Sequence, residues 1–105
     1  MRYPLQGGVL LSELETVRKE IEEIDREILS LIDRRVNLAE KVLESKRING
    51  TSINDRKQNE VVINRALNAA TELNLDLGSV KEIFEILIRM SIERQNELSG
   101  KGSLP

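Results

Sequence analysis

Three cations and one carboxylate occupy a stripe that this 105-residue sequence otherwise fills with aliphatic side chains. One three-four series from Leu11 runs through Leu14, Arg18, Ile21, Asp25, Ile28, Ile32, Arg35, Ala39, Val42 and Lys46, a spacing that aligns on a single helix face. An unpaired charge on a buried face is strongly unfavourable, so each of these groups needs another side chain or a bound anion as partner. Asp25 answers for only one cation. A single arginine or lysine at such an edge reaches solvent along its alkyl stem; three on one stripe point to an anion site. Arg35 and Lys46 are separated by about 16 Å of helix axis at nearly one azimuth, so their side chains can lean together around a small anion. Arg18 lies about 25 Å from Arg35 along the same rod. To serve the same kind of ligand it must come from a second copy of the chain.

The element carrying these residues is a long first helix. After an irregular start through Pro4, Gly7 and Gly8, Ser12 and Glu15 have the spacing of a capping box. No Pro or Gly then intervenes before Gly50, so the spacing predicts one helix from Ser12 to Asn49. About 37 residues make a rod of roughly 55 Å, whereas a domain of this size has a radius of gyration of only about 13 Å. Such a helix should bury its stripe against a second copy, most economically in a two-fold dimer; the alternative is a monomer with a bent or broken helix, for which no Pro or Gly is available to make the break. Thr51, Ser52, Asn54 and Asp55 offer caps for a second helix reaching about Asn74, with Val62, Ala66 and Leu73 on its core face. A connector over Leu75–Gly78 follows. Ser79 with Glu82 forms a further capping box before a third helix marked by Ile83, Phe84, Leu87, Met90 and Leu98. The expected organisation is an all-α, three-helix subunit in an intertwined homodimer, with an irregular segment over 1–11, a helical domain over 12–99 and a flexible tail over 100–105.

Composition narrows the chemistry. Cysteine and histidine are both absent, which removes thiolate, disulfide and iron–sulfur chemistry together with the commonest proton shuttle and metal ligand. No metal or organic cofactor is expected. The formal charge is −2 and basic residues alternate with acidic ones, so no footprint for a nucleic-acid backbone is present. No apolar run approaches the roughly 20 residues of a membrane span, and Met1–Leu11 lacks a secretory apolar core; the expectation is a cytoplasmic protein with neither nucleic-acid nor membrane partner.

From Leu14 to Leu98 the sequence resembles the all-helical, AroQ-class chorismate mutases. The likeness rests on V-R-K-E-I-E-E-I-D-R-E-I-L-S-L-I-D-R-R over residues 17–35, Lys46 eleven residues later, I-N-D at Ile53–Asp55, and F-E-I-L-I-R-M-S-I-E-R-Q over residues 84–95. The resemblance implies that Arg18 of one subunit and Arg35 of the other hold the two carboxylates of chorismate. It further implies that Lys46 and Gln95 flank the ether oxygen of the breaking C–O bond, that Asp55 holds the ring hydroxyl, and that Ser91 contacts a carboxylate. Guanidinium forks suit carboxylates through parallel, charge-assisted hydrogen bonds. The implied reaction, conversion of chorismate to prephenate for phenylalanine and tyrosine synthesis, is an intramolecular Claisen rearrangement. It requires no nucleophile and no proton transfer, so a site without His or Cys is adequate.

Where the family usually has D-x-x-R-E, this chain reads Asp55, Arg56, Lys57, Gln58, Asn59. Gln58 stands at the usual Arg and Asn59 at the usual Glu. Asn59 can accept a hydrogen bond from the substrate hydroxyl, but Gln58 brings no charge; Arg56 or Lys57 is the alternative source, and a one-residue shift would place Lys57 and Gln58 there instead. Two other functions share these features: an isochorismate-pyruvate lyase using the same cationic site, and a non-catalytic helical dimerisation or regulatory module.

The stripe on so long a helix, which requires burial against another copy, yields the first prediction. The protein sediments as a dimer at micromolar concentration, and a stable, folded, active monomer would overturn both the dimer and the assignment of Arg18 across it.

Overall fold

The computed structural model describes the backbone of residues 7–100 and the side chains of residues 12–100. Four α-helices are present, α1 (Gly7–Asn37), α2 (Ala39–Asn49), α3 (Arg56–Glu72) and α4 (Leu77–Leu98), and no strand occurs among the described residues. The all-α class agrees with the sequence. The expected first helix is divided into α1 and α2 at Leu38. That residue keeps φ −73° but opens ψ to −10°, away from the usual helical value of about −42°. Its N–H still donates to the Arg34 carbonyl at 3.1 Å, and its carbonyl accepts from Val42 N–H at 3.0 Å. The interruption is thus one residue wide, and no Pro or Gly announces it.

α1 begins at Gly7, so Ser12 lies within it, and the Ser12 carbonyl accepts from Thr16 Oγ1 at 2.9 Å. The Ser12–Glu15 box is therefore not a helix start. Val9, Leu10 and Leu11 contain no helix-breaking type and let the helix begin earlier. The expected irregular stretch through Pro4 and the tail beyond Gly100 lie outside the described residues.

The chain divides into two compact units, at Asp33 and Arg34. In the first, Leu14, Val17, Ile21, Ile24, Ile28 and Leu31 are between 41% and 57% exposed, so the predicted apolar stripe is unburied in the single chain. In the second, α2 and α3 pack on α4. The core there is Ala39 and Leu43 of α2 with Val62, Ala66 and Ala70 of α3. Three of these five are alanines, which let helix axes approach closely. Phe84, Leu87, Met90 and Leu98 are half-buried. Leu73, expected on the core face of α3, is exposed, as the residue that ends α3; Ile83 is exposed as well.

Caps set where each helix stops. Gly50 takes φ 70°, its N–H reaching the Arg47 carbonyl while Thr51 N–H reaches the Lys46 carbonyl at 2.8 Å, the paired bonds of a Schellman ending. Asn74, at φ 61°, ends α3 in the same way, with Leu75 N–H on the Ala70 carbonyl at 2.9 Å. Asp55 caps α3 by accepting from Gln58 N–H at 3.2 Å. Asp76 caps α4 by accepting from Ser79 N–H at 2.9 Å, and the backbone and side-chain hydrogen bonds of Ser79 hold its carboxyl below the usual carboxylate range. The expected Ser79 box is corrected accordingly. Ser79 is a donor inside the first turn, and the connector is Leu73–Asp76. Among the described residues no helix is long and apolar enough to cross a membrane.

A Cβ at Gly50 would meet nothing within 4 Å, so Gly50→Ala isolates the cost of a left-handed backbone. The variant should lose about 1 kcal/mol of stability, read as a lower urea midpoint, whereas Asn74→Gly should lose none. An unchanged midpoint for Gly50→Ala would show that the turn does not require the left-handed conformation.

Candidate active site

Three helical faces in the second unit enclose a cavity of about 270 Å³, near the small end of the roughly 300–1,000 Å³ typical of small-ligand sites. Starting α3 at its Asp55 cap brings Asp55, Gln58, Asn59 and Val62 to one face. On α4 the same three-four spacing presents Ile88, Ser91, Ile92 and Gln95, and the wall from the last turn of α1 into α2 presents Arg35, Leu38, Val42 and Lys46. Seven of the eight residues singled out in the sequence therefore line one cavity: Arg35, Lys46, Asp55, Gln58, Asn59, Ser91 and Gln95. The eighth, Arg18, lies in the first unit with its side chain exposed. Arg56 and Lys57 are exposed and do not line the cavity, which leaves Gln58 and Asn59 in the place that the sequence left open.

Lys46 is the most constrained cation. Its half-buried Nζ donates to the Ile53 carbonyl and to Gln95 Oε1, the latter at 3.0 Å. Loss of water lowers its pKa, and the Asp55 carboxylate opposes that by favouring the ammonium. Gln95 is 2% exposed, the sole buried polar residue among those described, and its Nε2 donates to Ser91 Oγ at 3.0 Å. Arg35 donates from one terminal nitrogen to the Leu87 carbonyl at 3.1 Å; burial, then the nearby Arg65, lower its pKa. Asn59 Nδ2 donates to Asn54 Oδ1 at 2.9 Å, tying α3 to the preceding turn.

Sequence reasoning did not single out Ile88 and Ile92, although their spacing flanks Ser91 and interleaves with Gln95 on α4. The Ile53 and Leu87 carbonyls carried no signal, because a backbone oxygen becomes a site group only through the fold. Among the described residues no three acidic side chains gather as a metal site would need. Chemically, the cavity offers two cations, several N–H and O–H donors, one carboxylate and an aliphatic wall: provision for a small, partly apolar anion bearing a hydroxyl.

The family model of type II chorismate mutases matches residues 17–96 of this chain. A chorismate mutase of Methanocaldococcus jannaschii is 38% identical over 79 residues, covering 75% of this chain and 80% of that protein. Two bifunctional chorismate mutase/prephenate dehydratases of Buchnera aphidicola, from subspecies Schizaphis graminum and Acyrthosiphon pisum, are 28% and 29% identical over 86% and 80% of this chain. The matches span only 23% and 22% of those longer proteins. No solved structure matches.

The electrostatics of Lys46 can be checked without a ligand. Its ammonium should titrate below the ordinary 10.5 when followed by NMR of side-chain-labelled lysine. Asp55→Asn removes the group that favours the charged form, so the midpoint should move further down; a rise would show that Asp55 does not face Lys46.

Proposed function

The chain belongs to the type II chorismate mutase family and is an isomerase acting on chorismate, and we propose that it forms prephenate in this cavity, completed by Arg18 of a second copy. The observation that carries the reading is convergence. Arg35, Lys46, Asp55, Asn59, Ser91 and Gln95, drawn from all four helices and their caps, line one small cavity. The charge count supports the second copy: Arg35 and Lys46 against Asp55 leave one net positive charge for a substrate with two carboxylates. Arg18, exposed on a helix whose apolar stripe is also exposed, supplies the missing guanidinium when two chains pair.

Within this site, Arg35 and the partner's Arg18 each hold a carboxylate, and Ser91 adds a hydroxyl to one of them. The substrate hydroxyl goes to Asp55 and Asn59. Gln58 contributes an amide where the family has a charge. Fixing both carboxylates holds the flexible enolpyruvyl ether in its compact reactive conformer, which removes much of the entropic barrier. As the C–O bond breaks, negative charge gathers on the ether oxygen. The remaining N–H groups of Lys46 and Gln95 meet it there, already oriented and largely out of water. No step moves a proton or an electron to the protein, so the chemistry calls for no cofactor.

The working domain is residues 12–99, and prephenate formation places the enzyme in aromatic amino-acid biosynthesis. A dianionic substrate does not cross a bilayer unaided, which supports a cytoplasmic location.

The purified chain should convert chorismate to prephenate; release of pyruvate from isochorismate without prephenate formation would replace this reading by the lyase. The shared site is tested by complementation. Arg18→Ala and Lys46→Ala homodimers should both be crippled, but refolding an equal mixture should restore about one quarter of wild-type activity, since about half the random dimers are mixed and each carries one intact site of two. Mixed dimers present in the expected proportion without recovered activity would place Arg18 outside the site.

A further inference from the structure

The hydrogen bonds around Lys46 run in one direction only. An ammonium has three donors and no acceptor, so the Gln95 atom facing Nζ must be its amide oxygen. That turns the amide NH2 toward Ser91, whose Oγ accepts from Nε2, and the Ser91 proton is then directed elsewhere. On the far side, Nζ is tied to the Ile53 carbonyl. Because Gln95 is almost wholly buried, a reversed amide would set its NH2 against the ammonium and leave a buried donor unpaired.

We propose that Ser91 is a positioning residue for Gln95, locking the amide with its oxygen on Lys46 so that the α4 side of the cavity turns its free N–H and O–H groups toward a ligand. Lys46 retains one N–H, Gln95 one N–H and Ser91 its O–H. This side receives ether and carboxylate oxygens; its acceptors, Ser91 Oγ and Gln95 Oε1, each already accept one bond, so a ligand hydroxyl is better received by the Asp55 carboxylate and Asn59 across the cavity. Hydrogen-bond polarity thereby favours one way round for the substrate. The inference rests on reading the cavity as the chorismate site, but the lock itself belongs to the free protein and is measurable there.

Two charged residues line the cavity with Lys46, Arg35 from α1 and Asp55 from the α3 cap, while α4 contributes the neutral Ser91 and Gln95; on its own helix Lys41 shares the outer face. Substitutions at position 91 leave all these charges in place. In ligand-free Ser91→Ala the amide loses its second anchor and holds the ammonium less firmly, so the Lys46 titration midpoint should fall below that of the wild type. Ser91→Thr, which keeps the hydroxyl, should restore it. In turnover, Ser91→Ala should lower kcat by at least about tenfold, and the kcat of the Ser91→Ala/Gln95→Ala double variant should be no lower than that of Gln95→Ala alone, the lost carboxylate contact of Ser91 appearing in KM. A residue that merely touches the ligand would raise KM, leave kcat and the Lys46 midpoint unchanged, and add its loss to that of Gln95→Ala; that pattern overturns the proposal. If the wild type fails to act on chorismate, the functional reading falls, and the titration of the free Ser91 variants still decides the positioning role.

Discussion

An ammonium drawn out of water must be given oxygens in its place, and the second unit is organised around doing so for Lys46. The left-handed Gly50 turns the chain so that the Ile53 carbonyl returns to the lysine from which it departed. α4 brings the Gln95 carbonyl from the opposite side. Both oxygens are neutral, so they solvate the charge without cancelling it. Arg35 is treated alike, its guanidinium resting on the Leu87 carbonyl. The ion pairs among the described residues lie elsewhere, between exposed neighbours within a helix: Arg26 with Glu22, Arg47 with Glu44, Arg89 with Glu93 and Arg94 with Glu97. Such pairs contribute little to stability. Their distribution matters more, because the acids are engaged at the surface and the cavity cations keep their charge for a ligand.

The packing that makes this possible is narrow. α2 and α3 both rest on α4, and the buried apolar side chains are mostly alanine, so the helices come close and the polar side chains between them are held in short, defined bonds. The aliphatic wall of Val42, Val62, Ile88 and Ile92 lowers the local polarity around those bonds, and a hydrogen bond in less polar surroundings is electrostatically stronger than one in water.

Much of this was legible in the sequence because it rests on periodicity. The shared face of Arg35 and Lys46 follows from a three-four count; Ser91 and Gln95 were carried by the family resemblance, their separation by one helical turn saying only that they face the same way. The Gly50 ending was legible because few other roles suit a glycine there, whereas Asp55 was one of four candidate caps and the fold makes the choice. The two misplaced helix starts share one cause: S-x-x-E spacing at Ser12 and Ser79 reports local compatibility with a helix start, and does not say whether an earlier start is better. At Ser79 the earlier cap, Asp76, stands three residues upstream. With Asp55 as the cap, the positions three and four residues on, Gln58 and Asn59, share its face and line the cavity, while Arg56 and Lys57 do not. Leu38 was not legible, because an opened ψ at an ordinary leucine leaves no mark in composition.

Among the described residues the most deeply buried large side chain is an amide. In a core this small, the position that packing would fill most readily with a leucine or methionine is held by a group whose value lies in its N–H and C=O. Selection for stability alone would tend to remove it, since an apolar replacement of similar volume relieves the demand for partners on every side. With the part proposed for it in turnover, Gln95 sets endurance against activity at a single position. A search for more heat-resistant versions of this protein would reach that residue early and, on that proposal, would lose activity there.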